Sequence, residues 1–130
     1  MQNFDPEKCL IFEAIAGSRL YGTETPASDF DIRSICIPPK EVLLNPFMNF
    51  NQKDSGFKEE DRCIYALGQF VKLCADANPN ILELLFIPDN KIVFNSKIWK
   101  RLLDFKYLFI SKKIKHTFSG YAMLWLSYIK

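Results

Sequence analysis

Cysteine pairing is missing from this chain: Cys9, Cys36, Cys63 and Cys74 stand singly among apolar neighbours and never form a Cys-x-x-Cys pair. Neither a zinc site nor a disulfide framework is indicated, and the four read as buried thiols in a reducing compartment. The start of the chain lacks a basic segment before an apolar run and carries Asp5 and Glu7, so no secretory signal is expected. No stretch supplies about 18 uninterrupted apolar residues, so neither a membrane span nor a membrane partner is expected, and the expected location is cytoplasmic. A large charge excess is also missing, since 17 Lys and Arg face 15 Asp and Glu. Bulk charge therefore neither demands nor excludes a nucleic-acid partner. Histidine is nearly absent: His116 stands alone among lysines, with no partner identifiable from sequence, and reads as a surface or loop residue. Internal repeats and low-complexity segments are not found.

What is present fits one folded domain over residues 1–130, with 48% hydrophobic and 15% aromatic residues. Acidic residues thin out after Asp89 while Lys91, Lys97, Lys100, Arg101, Lys106, Lys112, Lys113 and Lys115 accumulate. That basic C-terminal third can attract phosphate, and a solvated helix surface has the same composition. Cys9 to Ala16 is an apolar, strand-favouring run that stops at Gly17. A second strand is expected from Asp29 to Ile37, closed by Pro38-Pro39. Its alternation puts Asp29, Asp31 and Arg33 on one face and Phe30, Ile32 and Ser34 on the other. Residues Asn45 to Lys58 show no sustained period and read mainly as a loop. Ile64, Leu67, Phe70, Val71 and Cys74 fall at helical spacing, with Asp61 just before them at the end of a short third strand. Asn78-Pro79-Asn80 breaks that helix and starts another through Phe86, and Ser96 to Phe105 and Ser119 to Lys130 are further helix candidates.

The chemistry is carried by Gly17-Ser18-Arg19-Leu20-Tyr21-Gly22-Thr23 and, after a polar spacer, Ser28-Asp29-Phe30-Asp31-Ile32-Arg33. A Gly-Ser turn at a helix start presents backbone amides and a hydroxyl to phosphate. Two aspartates one residue apart on a strand can point together at a metal ion, and magnesium takes oxygen ligands while keeping several waters. Nucleotidyl transfer needs such ions to activate an attacking hydroxyl and to hold the triphosphate. Asp-x-Asp by itself is also found on solvated strand edges, and Gly-Ser turns are common. Finding both in this order behind a buried strand favours the catalytic reading. On position alone Asp61 is either a helix-capping residue or a metal ligand.

The segment AGSRLYGTETPASDFDIRSICIPP resembles the signature of the DNA polymerase β nucleotidyltransferase superfamily, especially its predicted nucleotidyltransferases associated with RNA repair. Asp61, the helix after it and Asn78-Pro79-Asn80-Ile81-Leu82-Glu83-Leu84-Leu85 extend the resemblance over most of residues 10 to 90, and Gly120-Tyr121-Ala122 adds a weaker match. The resemblance implies an α+β core: a small mixed sheet carrying the three aspartates, packed helices on one face, and a helical C-terminal extension. It implies that Asp29, Asp31 and Asp61 are the catalytic carboxylates and hold Mg2+ or Mn2+, with Asp61 nearest the attacking hydroxyl. Gly17 and Ser18 would then hold the nucleoside triphosphate. Gln69 stands where related chains commonly have a lysine, and the chain stops soon after Gly120-Tyr121-Ala122, which suggests a C-terminally shortened member.

Arg19 and Arg33 flank the expected site, where each is either a phosphate-binding residue or the partner in a local ion pair with aspartate. Glu83, set among apolar positions, reads as a structural polar anchor. The C-terminal aromatics, Trp99 and Tyr107 among them, have a spacing that favours packing in the core or against a second subunit, making that region a candidate homo-oligomer interface. The expected reaction is magnesium-dependent transfer of a nucleoside monophosphate from a triphosphate to a hydroxyl, with an RNA or tRNA end as the acceptor suggested by the family. Two rival readings stand beside it. One is a minimal transferase that adenylylates a protein partner. The other is a catalytically silent relative that binds a nucleotide or a partner in conflict between a mobile element and its host.

Overall fold

A strand of alternating burial sets the centre of the fold. β1 (Leu10–Ala16) buries Ile11, Phe12, Ala14 and Ala16, so both of its faces are covered. The computed structural model describes residues 4–16, 30–57 and 60–109. Within them β1 joins β2 (Phe30–Cys36), β3 (Gln52–Phe57), β4 (Glu60–Ala66) and β5 (Ile92–Asn95) in one sheet ordered β3-β4-β2-β1-β5. β2 and β4 run parallel, and the other neighbouring pairs are antiparallel. The described helices are α1 (Lys40–Leu43), α2 (Leu67–Ala75), α3 (Pro79–Leu82) and α4 (Lys97–Leu103). This is the small mixed sheet with packed helices that the sequence leads one to expect.

α2 and α4 are seated by aromatic packing on one face. Phe12 lies opposite Ile35 of β2 and stacks on Trp99 of α4, with ring centroids 4.1 Å apart and planes inclined by 17°. Phe70 of α2 meets the same indole at 5.4 Å. Cys74, Leu82, Leu84 and Leu85 complete this core, all essentially inaccessible to water. Burying each large apolar side chain contributes roughly 1.5–3 kcal/mol, which is why α2 and α4, although short, hold their positions. Ser96 caps α4 by accepting from the Trp99 backbone N–H at 3.2 Å.

α2 ends in a left-handed residue. Ala77 has φ 59°, the Asn78 N–H donates to the Leu73 carbonyl at 3.1 Å, and the Ala77 N–H donates to Cys74 at 2.9 Å. This is a Schellman closure with alanine where glycine is usual. Asn78 then caps α3 by accepting from the Asn80 N–H at 3.1 Å, with Pro79 at the first helical position.

Several boundaries differ from the sequence expectation. Ile64 lies in β4, not in a helix, because the extended run continues to Ala66 and α2 begins only at Leu67. Val71 turns to solvent, with Phe70 and Cys74 as the buried residues of α2. The stretch read mainly as a loop contains β3, an edge strand of polar residues whose lack of apolar alternation hides it from pattern reading. β5 was likewise not anticipated: four residues beside a 3-10 turn are too short to show a period. The expected helix at Ser119 to Lys130 lies outside the described residues, as does His116. Among the described residues, no helix is long and apolar enough to cross a membrane.

Candidate active site

Asp31 and Asp61 are each the second residue of their strands, β2 and β4, and the parallel pairing sets them directly opposite one another. Residues paired in this way leave the same face of the sheet, with backbones about 4.8 Å apart. That face is the one covered by helices, because Asp31, Arg33 and Ile35 alternate along β2 and Ile35 faces Phe12. The aspartates sit beyond the apolar core, where Asp31 is half-buried and Asp61 exposed. Ala16, the last residue of β1, lies opposite Asp31, so the sequence attaches Gly17 one residue from this edge.

Asp61 is thereby removed from the capping alternative. α2 starts well downstream, with Ala66 at the N-cap and no side-chain cap. The neighbour of Asp61 is Arg33, whose Nη2 stands 3.7 Å from Asp61 Oδ2. Arg33 thus makes the ion-pair contact that was one of the two expectations for it. Its guanidinium also donates to the Ile32 carbonyl at 3.3 Å. Gly17, Ser18, Arg19 and Asp29 lie outside the described residues. Gln69 lies within α2 and is half-buried.

Asp54, on β3, escaped the sequence reading. It lies opposite Cys63 of β4, which lies opposite Arg33 of β2. The three therefore share the face of Asp31 and Asp61. Asp54 is held below the usual carboxylate range, first by a hydrogen bond with Cys63 and then by Gln52, whose Nε2 donates at 3.3 Å, with Arg33 adding a weaker pull. Cys63 moves the other way: burial, reinforced by Asp54, pushes its thiol up to about 12. The only signal for Asp54 was a polar Gln-Lys-Asp-Ser run, which fits a loop equally well.

The opposite face carries a second polar cluster that supports the first. Glu13 of β1 accepts from Ser34 Oγ at 2.7 Å and from Arg62 Nη2 at 2.5 Å, and Arg62 Nη1 reaches Glu7 at 3.3 Å. Ser34 is fully buried, so this network ties β1 to β4 across β2 and fixes the register that pairs Asp31 with Asp61. A lone glutamate inside an apolar strand was its sequence signal. A pocket of about 510 Å³, lined in part by Phe4, Val42, Met48, Phe50 and Lys53, is separate from the carboxylates. Lys53 pairs with Ile64, on the face opposite Asp61.

The donors present suit a hard divalent cation. Asp31 and Asp61 supply only oxygen, a donor set suited to hard cations such as Mg2+ or Mn2+, which would fill their remaining positions with water or phosphate. Among the described residues no three His, Cys, Asp or Glu side chains converge as a ready-made cage. A thiolate-based centre does not fit, because burial pushes Cys36 up to about 11 and Cys74 up to about 12.

The chain is 31% identical over 122 residues to an uncharacterised 38.9 kDa protein of Enterobacteria phage T4, a match covering 86% of this chain and 36% of that protein. It is 29% identical over 116 residues to an uncharacterised protein of Methanocaldococcus jannaschii, covering 86% of this chain and 46% of the relative. The chain therefore spans less than half the length of each of these two relatives. Residues 4–128 match the model of a single family, a span that takes in Gly17, Ser18, Asp29, Asp31 and Asp61. The chain belongs to the RNA repair pathway DNA polymerase beta family.

Proposed function

We propose that the protein is a magnesium- or manganese-dependent nucleotidyltransferase that moves a nucleoside monophosphate from a triphosphate to a hydroxyl, with an RNA end as acceptor. The observation that carries this reading is the placement of Asp31 opposite Asp61 on one face of the parallel β2–β4 pair. Together with Asp29 these carboxylates would hold the cation. When bound, it would supply positive charge to the triphosphate and lower the pKa of the attacking hydroxyl. Gly17, Ser18, Arg19 and Arg33 would bind the phosphate chain, keeping the α-phosphorus in line with the acceptor. The acceptor oxygen forms a bond to that phosphorus as the bond to the bridging oxygen breaks, and pyrophosphate leaves. The hydroxyl proton passes to Asp61, whose exposure lets it hand the proton to solvent.

The test is incubation with each α-labelled ribonucleoside triphosphate, Mg2+ or Mn2+, and total cellular RNA and protein, beside an Asp29→Ala/Asp31→Ala variant. Label on RNA from the parent alone is the expected result. Label on protein instead would select the adenylylating reading. Nucleotide binding without any transfer would leave a binding protein on this scaffold.

A further inference from the structure

Arg33 has carboxylates on two sides. Asp61, one pleat away, stands 3.7 Å from its Nη2, while Asp54 shares its level of the sheet across Cys63. Two strand spacings separate the Arg33 and Asp54 backbones by about 10 Å, a gap that an extended arginine and an aspartate close together. Asp54 is exposed on the edge strand and ionised, since Cys63 and Gln52 hold its carboxyl low. Arg33 stands opposite Cys63 on the helix-covered face of the sheet. Its side chain is 23% exposed, against 58% for Asp61.

A divalent cation held by Asp31 and Asp61 would draw on the Asp61 carboxylate, whose Oδ2 faces Arg33, and two cations on one carboxylate repel. We propose that Arg33 competes with the divalent cation for Asp61, and that Asp54 is the positioning residue that takes the guanidinium when the cation binds. The proposal rests on the metal-binding reading of Asp31 and Asp61. A half-exposed ion pair at this distance is weak, so the cation displaces it, and the competition lowers affinity several-fold without abolishing it. Asp54 never touches the cation. It acts by giving Arg33 a second place to rest before nucleotide arrives.

The experiment is a Mn2+ titration without nucleotide, read by the paramagnetic resonance signal of free Mn2+. It compares the parent with Asp61→Asn, Arg33→Gln, Asp54→Asn and Arg33→Gln/Asp54→Asn, each first shown to be folded by circular dichroism. Arg33→Gln is expected to tighten binding about three- to tenfold, as expected when a competing charge is removed. Asp54→Asn is expected to weaken it about threefold in the parent and to change nothing in the Arg33→Gln background. Arg33→Lys, which keeps the charge, is titrated alone and together with Asp54→Asn, and should retain the dependence on Asp54. Equal weakening by Asp54→Asn in both backgrounds would overturn the proposal, since that is the signature of a ligand or of general charge. Unchanged affinity in Arg33→Gln would overturn it as well. Loss of binding in Asp61→Asn shows that the metal site itself stands when the competition fails. Parent-like binding in Asp61→Asn would instead remove the site and the proposal together.

Discussion

Asp31 and Asp61 share one register on parallel strands, so two carboxylates project side by side from the helix-covered face of the sheet. Like charges opposite one another on neighbouring strands oppose folding, and a positive charge between them relieves that repulsion. Arg33 supplies part of that charge at 3.7 Å from Asp61. Asp31→Asn is therefore expected to leave the protein as stable as the parent or more stable by about 0.2–1 kcal/mol. The same change should abolish the stabilisation by Mg2+ or Mn2+ that is expected in the parent, about 2.7 kcal/mol at a hundredfold excess over Kd. Thermal unfolding with and without each metal measures both effects.

The network on the other face makes the opposite prediction. Glu13 takes one charge-assisted hydrogen bond from Arg62 and a bond from the buried Ser34 hydroxyl, and the buried Arg62 Nε finds no partner among the described residues. Glu13→Gln leaves the Arg62 charge poorly compensated and should destabilise the fold by about 2–4 kcal/mol, close to the cost of breaking a buried pair. Urea unfolding should show a lower midpoint with an unchanged slope. Because the network sets the β4 register, metal affinity should fall in the folded variant although Glu13 lies on the far face.

How much of this was legible beforehand depended on which physical signal each element carries. Leu10–Ala16 announces a buried strand because apolar side chains occupy both its faces, and Asp31 and Arg33 are placed together by strand alternation alone. The Asn78-Pro79 helix start reads equally well, since its cap chemistry is local. β3 does not read, because an edge strand needs no apolar face: it is held by backbone pairing with β4, which no window of local sequence contains. Asp54 was lost with it. The pairing of Asp31 with Asp61 is likewise nonlocal, and family resemblance stood in for the register that only the folded sheet displays.

Trp99 separates packing from hydrogen bonding. It is fully buried against Phe12 and Phe70, yet its buried Nε1 finds no hydrogen-bond partner among the described residues. Trp99→Ala should cost about 3–5 kcal/mol, as for other large aromatic deletions. Trp99→Phe keeps a ring to stack on Phe12 and removes an unsatisfied donor that itself costs about 1–3 kcal/mol. The phenylalanine variant is therefore expected within about 1 kcal/mol of the parent. Paired urea titrations decide it, and similar losses for the two variants would mean that the indole N–H is satisfied in solution.

Burial of the thiols predicts a loss of stability in alkali. Cys36 is pushed up to about 11, and Cys63 and Cys74 to about 12, from an ordinary value of 9.0, chiefly by desolvation. Above pH 9 an unfolded chain releases these protons while the folded chain retains them, so rising pH favours unfolding. The stabilisation is complete below about pH 9 and is lost as pH climbs through 11 and 12, at about 1.4 kcal/mol per pH unit for each thiol still protonated. Other groups titrate over the same range, so the decisive comparison is the slope of unfolding free energy between pH 9 and 10.5 in the parent and in Cys74→Ala. The variant starts lower, because a buried side chain has been trimmed, and should then fall less steeply by one thiol's share. Equal slopes would mean that the Cys74 thiolate is tolerated in the folded core, against the burial that places it among Phe70, Leu82 and Leu85.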